Sequence, residues 1–122
     1  MVNGKQESSD YGALRQPKNY QSNGFVDDVS STDIRCNQLA TGSAVMSVAA
    51  GGTVGFVSNP APYHPGPMLA YMAKVPSGQS VNTWDGSGAV WFKVWQQGPT
   101  FSSGQMNWPS CKSYYLSSLD IH

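Results

Sequence analysis

The feature that most constrains this chain is the shortness of its alternating apolar runs. "AVMSVAAGGTVGFVSN", residues 44–59, sets Val45 and Ser47 against Met46 and Val48, meets Gly-Gly at 51–52, and alternates again through "TVGFVS". "AVWFKVWQQG", residues 89–98, sets Val90, Phe92 and Val94 on one face and Trp91, Lys93 and Trp95 on the other. A period of two over four to eight residues, closed by glycine or proline, is a strand signal and leaves no room for a long helix. "MLAYMAKV", residues 68–75, is bracketed by Pro67 and Pro76 and reads as a third such strand. The spacing predicts strands over 43–48, 53–58, 68–75 and 89–96, with a shorter one running through Ile34 into Cys36. Residues 1–24 read as a polar, turn-rich loop. The expected fold class is all-β, an immunoglobulin- or fibronectin-like sandwich with long loops. Four or five strands are fewer than the seven or so such a sandwich uses, so the sandwich is expected to be incomplete.

Charge narrows the partners. Seven basic and seven acidic residues cancel, and only 11% of the chain is charged. Nucleic-acid binding draws on a basic surface, so nucleic acid is not expected. No run reaches the roughly 20 apolar residues of a membrane span, so no membrane partner is expected either. The opening "MVNGKQESSD" has no apolar segment of the signal-peptide kind. A neutral chain with four Trp, six Tyr and four Phe suits a neutral partner such as carbohydrate.

Few residues carry chemistry on their own. Asp27, Asp28, Asp33, Asp85, Glu7, Asp10 and Asp120 form no paired-carboxylate signature. Asp27–Asp28 reads as a solvated turn, and no phosphate-binding glycine loop or nucleophile elbow is present. The tryptophans at 84, 91, 95 and 108 read first as core residues. Cys36 and Cys111 match no metal knuckle; paired, they would close a loop of about 75 residues, worth about 4.5 kcal/mol in the chain-entropy model. His64 stands in "YHPGP", between prolines and just before an apolar run. A lone histidine in such a loop is most often structural, and one imidazole does not make a metal site.

Four segments carry a resemblance. "VDDVSSTDIRC" at 26–36, "VAAGGTVGF" at 48–56, "YHPGPMLAYMAKVPSG" at 63–78 and "WFKVWQQGP" at 91–99 occur in the order found in fungal family 9 lytic polysaccharide monooxygenases, formerly grouped as glycoside hydrolase family 61. The chain resembles that family over residues 1–110, and the tail 111–122 does not match it. The resemblance implies a secreted oxidoreductase that uses one copper ion, an external electron donor and oxygen or peroxide to cleave cellulose or a related β-1,4-glucan, attacking C1 or C4. It implies that His64 is a copper ligand, in a brace whose other half is an N-terminal histidine with its amine.

Here residue 1 is Met, so the resemblance implies half a brace. Beyond Ser110 the family's outer-sphere histidine and glutamine and its axial tyrosine find no match, and Tyr114, Tyr115 and His122 fall out of register. Cys36 matches a disulfide cysteine of the family; its partner is unmatched, and Cys111 lies in the tail. No further catalytic or substrate-binding residue is assigned. The alternative expectation is a non-catalytic, cellulose-binding or structural β-sandwich remnant.

Overall fold

The computed structural model describes residues 11–18, 25–35, 44–56, 63–108 and the backbone of 119–120. Among them the strands are β1 (Thr53–Val54), β2 (Met68–Ala73), β3 (Trp91–Gln97), β4 (Thr100–Ser102), β5 (Gln105–Asn107) and β6 (Leu119–Asp120). They pair antiparallel as β1 with β6, β2 with β3, and β4 with β5. The one helical element among the described residues is a 3-10 turn at Thr32–Ile34, so the expected all-β class holds. No helix among them is long and apolar enough to cross a membrane.

Contacts divide the chain into two compact units. The first comprises residues 1–6, 48–74 and 89–122; the second comprises 7–47 and 75–88. The strands lie in the first unit.

Two predicted strands form nearly as expected. β2 stops two residues before Val75, and β3 runs from Trp91 one residue past Gln96. Of the expected strand 53–58, Thr53–Val54 pairs as β1, residues 55–56 do not, and residues 57–58 lie outside the described set. The Gly-Gly turn before it forms, with Gly52 N–H donating to Ala49 O at 2.8 Å and Gly51 at φ 80°. A type II turn needs that left-handed conformation at its third position, and glycine adopts it without steric cost.

Two strand expectations fail. Residues 44–48 form no ladder; Ala44 N–H donates to Gly12 O at 3.0 Å, and alternation without a partner strand builds no sheet. Residues 32–34 turn rather than extend. Ser31 Oγ accepts from Asp33 N–H at 3.1 Å, and Ile34 and Arg35 N–H donate back to Ser31 O and Thr32 O. These local bonds satisfy the backbone that a strand would have left open. Cys36, where that strand was to end, lies outside the described residues.

The β2–β3 ladder corrects a further expectation. Ala70 pairs with Trp95 but Tyr71 pairs with Lys93, so Val94 is an extra, bulged residue. A bulge shifts the alternation by one, and Trp91 and Trp95 therefore lie on opposite faces. One face carries Met68, Ala70, Met72, Phe92, Trp95 and Gln97, all half-buried except Phe92. The other carries Leu69, Tyr71, Ala73, Trp91, Lys93 and Gln96, all exposed except Ala73. Lys93 Nζ donates to Gln96 Oε1, as residues on one face can.

The register makes a prediction. Deleting Val94 leaves every Cα pair in place and is expected to change stability by less than about 1 kcal/mol in urea unfolding. Deleting Phe92 instead moves Lys93 opposite Met72 and is expected to cost about 2 kcal/mol or more.

β4 and β5 form a hairpin that the sequence reading missed. Its loop is Ser103–Gly104, with φ 51° and 74°. Two positive φ values in a two-residue loop match the right-handed twist of the flanking strands.

Candidate metal site

His64 lies in the first unit, on the loop that leads into β2. Four residues later the chain enters the ladder at Met68, which pairs with Gln97. Pro65 and Pro67 fix φ on either side of Gly66, so the segment between imidazole and ladder has few backbone states. The chain bends at His64, and its side chain is exposed. Pro62 lies outside the described residues.

The bend has a second result. In extended chain, neighbouring side chains point to opposite sides. Here the Tyr63 and His64 rings come together, with centroids 4.4 Å apart and planes tilted by 35°. Tyr63 is itself 54% exposed. The tyrosine precedes the histidine directly in sequence, yet the strand period gave no reason to place the two rings on one side.

Among the described residues, no three His, Cys, Asp or Glu side chains converge in a way that could hold a metal ion. They offer a metal one imidazole, that of His64. An exposed imidazole on a stiff loop fits one ligand position of a copper centre, since imidazole nitrogen suits copper. Met1, Cys36, Cys111, Tyr114, Tyr115 and His122 lie outside the described residues.

Three described aspartates of the second unit, Asp28, Asp33 and Asp85, are engaged structurally. Asp28 Oδ1 accepts from Ser30 N–H at 2.8 Å and from Ser30 Oγ–H at 2.6 Å, a local turn of the kind its neighbours suggested. Lys18 Nζ lies 3.6 Å from Asp33 Oδ2. Asp85 Oδ1 accepts from Ser87 N–H at 2.9 Å and lies 3.8 Å from Arg35 Nη1.

The Ser30 hydroxyl, then the Ser30 amide, hold the Asp28 carboxyl below its ordinary pKa. Ser87, through its side chain and then its amide, does the same for Asp85, with Arg35 adding to it. A pKa depressed in the folded chain gives stability that is present above the unfolded value and lost as pH falls through the folded one. Ser30→Ala is therefore expected to raise the Asp28 titration midpoint, read by carboxyl carbon NMR, and to make stability fall less with acidification, from a lower value at neutral pH.

The chain also matches known proteins. The model of Auxiliary Activity family 9, formerly GH61, matches residues 1–118. This chain belongs to Auxiliary Activity family 9. An AA9 family lytic polysaccharide monooxygenase A of Thermothelomyces thermophilus is 51% identical over 104 residues, which is 84% of this chain and 46% of that protein. Monooxygenase H of Malbranchea cinnamomea is 52% identical over 99 residues, 80% of this chain and 43% of its own. Monooxygenase E of Thermothielavioides terrestris is 47% identical over 106 residues, covering 85% and 46%. This AA9 chain thus spans a little under half the length of these curated relatives.

Proposed function

We propose that this AA9 chain is part of a secreted, copper-dependent polysaccharide monooxygenase that cleaves cellulose or a related β-1,4-glucan with electrons from an external donor. The observation that carries the reading is His64, exposed beside Pro65 and Pro67 in the segment that resembles the family's copper-ligand motif. Membership of AA9 and relatives named as lytic polysaccharide monooxygenases support it.

In this reading His64 holds the metal through one ring nitrogen, in its neutral form, because a protonated imidazole has no lone pair to give. Copper, when bound, supplies the redox chemistry that activates oxygen or peroxide for attack on a glucan C–H bond. Pro65 and Pro67 limit loop motion, so the imidazole is presented without a large ordering cost. A low-charge surface suits a neutral polysaccharide.

The test is to incubate copper-loaded protein with amorphous cellulose, ascorbate and peroxide and to look for aldonic or C4-keto oligosaccharides. It is run on this chain and on a full-length protein that contains it. The full-length protein is expected to release these products and its His64→Ala variant none. Undiminished release from that variant overturns the reading.

A further inference from the structure

We propose that Met106 is an oxidation site on the β4–β5 hairpin, where hydrogen peroxide converts its thioether to the sulfoxide and thereby loosens the hairpin. The oxidant is peroxide in solution, so the chemistry stands apart from the reading of His64 as a copper ligand.

Register divides the six ladder residues of the hairpin. Thr100 pairs with Asn107 and Ser102 with Gln105, so four polar side chains share one face. The opposite face carries one pair, Phe101 and Met106, which is the whole apolar content of the ladder. Both are exposed, Phe101 at 74% and Met106 at 55%. Side chains directly opposite across an antiparallel ladder have Cβ atoms about 4.5–5.5 Å apart, within reach for a thioether and an aromatic ring. The loop adds little of its own. Ser103 takes φ 51°, a left-handed value that suits serine poorly, and Gly104 at 74° is the position where glycine removes the cost. A two-stranded hairpin alone is marginal, so the cross-strand pair counts for much of what keeps this one closed.

Oxidation of methionine follows access to the sulfur. Met46, Met68 and Met72 are half-buried, and the last two lie on the half-buried face of the β2–β3 ladder. Among the described methionines, Met106 is the exposed one. In the step, a sulfur lone pair attacks one peroxide oxygen. An S–O bond forms, the O–O bond breaks, and the departing hydroxide takes the proton from the transferred oxygen and leaves as water. Sulfur loses two electrons and peroxide gains them. The product replaces a flexible apolar side chain with a polar, chiral one. Opposite Phe101, the sulfoxide gives up an apolar contact for hydration, and the strands open more often. The change spares the core, because neither partner is buried.

The experiment treats the 122-residue chain with dilute hydrogen peroxide and a metal chelator, and follows sulfoxide at each methionine by peptide mass spectrometry. Met106 is expected to oxidise about 5-fold or more faster than Met46, Met68 or Met72. Amide hydrogen exchange in peptides covering residues 100–107 is expected to speed by about 2- to 5-fold after oxidation. Met106→Leu keeps an apolar partner for Phe101 and is expected to exchange like the untreated wild type with or without peroxide. Met106→Gln is polar from the start and is expected to exchange like the oxidised wild type without peroxide. His64→Ala is expected to leave the Met106 rate unchanged, which separates this inference from the copper reading.

A Met106 rate no faster than those of the three half-buried methionines overturns the site. Selective oxidation with unchanged exchange overturns the loosening. An equal rise in exchange in peroxide-treated Met106→Leu places the effect on another residue and overturns it as well. Oxidation that appears only when the chelator is left out assigns the step to a metal and overturns direct attack by peroxide.

Discussion

Truncating Trp84 to alanine is expected to cost about 3–5 kcal/mol and to melt the unit formed by residues 7–47 and 75–88. Trp84 is the one buried large apolar side chain among the described residues, at 7% exposure. Many other large apolar residues are exposed, Phe101 at 74% and Phe25 at 78% among them. Removing an indole from such a site loses transfer energy and leaves a cavity, and no second buried cluster among the described residues shares the load.

The backbone around Trp84 is also fixed by its neighbours. Its N–H donates to Ser80 O at 2.8 Å, and its own carbonyl accepts from Arg15 Nη2 at 2.7 Å. Arg15 Nη1 and Arg35 Nη1 each donate to Asp85 O at 3.3 Å. The guanidinium groups thus hold residues 84–85 at the level of the main chain. Whole-domain stabilities are about 5–15 kcal/mol, so a loss of 3–5 is a large fraction. Urea unfolding of Trp84→Ala against Phe101→Ala makes the comparison. The exposed phenylalanine is expected to change stability by about 0.5 kcal/mol or less, and equal effects would show that Trp84 is not the anchor.

The two anchoring arginines show where sequence reading stops. Arg15 meets Trp84 and Asp85 across 69 and 70 positions, and Arg35 meets Asp85 across 50. No local period reports such contacts. The same reading put all four tryptophans in the core, yet Trp84 is buried, Trp95 and Trp108 are half-buried and Trp91 is exposed. What clasps the Trp84 backbone was not legible.

For the sheet, legibility tracked local rules. β2 was readable because Pro67 and Pro76 bracket an apolar run, and β3 because its alternation is strong. Residues 44–48 alternate as well, but a strand also needs a neighbour, and sequence does not supply one. At 32–34, Ser31 and Asp33 signalled a side-chain-bonded turn that outweighed the Ile34–Cys36 alternation. The β4–β5 hairpin carried a weak signal, Ser103–Gly104 between short strands, which lacks the Asn-Gly or Asp-Gly that usually marks such loops. Val94 was invisible as a bulge. Strict alternation put Trp91 and Trp95 together, and one unpaired residue separates them.

The site divides in the same way. His64 was singled out by its motif, and the expectation that it lies exposed on a loop holds. The Tyr63 ring contact was out of reach, because it arises from a bend and not from a period. Cys36 and the C-terminal tail lie outside the described residues.

Replacing His64 with alanine is expected to remove saturable copper(II) binding from this chain, a loss of more than about 100-fold. The size follows from ligand chemistry. Changing a group that only orients a metal ligand costs about 10- to 100-fold in affinity, so removing the ligand itself costs more. Among the described residues no converging set of His, Cys, Asp or Glu stands ready to replace it. Affinity in the wild type is expected to fall on acidification, since protons compete with metal for the imidazole nitrogen.

Copper can also bind unfolded chain, so the measurement must distinguish a folded site from loose donors. A ligand that binds only the folded form raises stability by about 2.7 kcal/mol at one hundred times its dissociation constant, whereas one that prefers the unfolded form lowers it. Thermal unfolding with graded copper(II) is expected to show the midpoint rising in the wild type and in Asp85→Asn, and not in His64→Ala. Asp85 is the control because its carboxylate is bonded to Ser87 and Arg35, in the unit that does not contain His64. A rise of equal size in His64→Ala would place the copper elsewhere and remove the imidazole from the site.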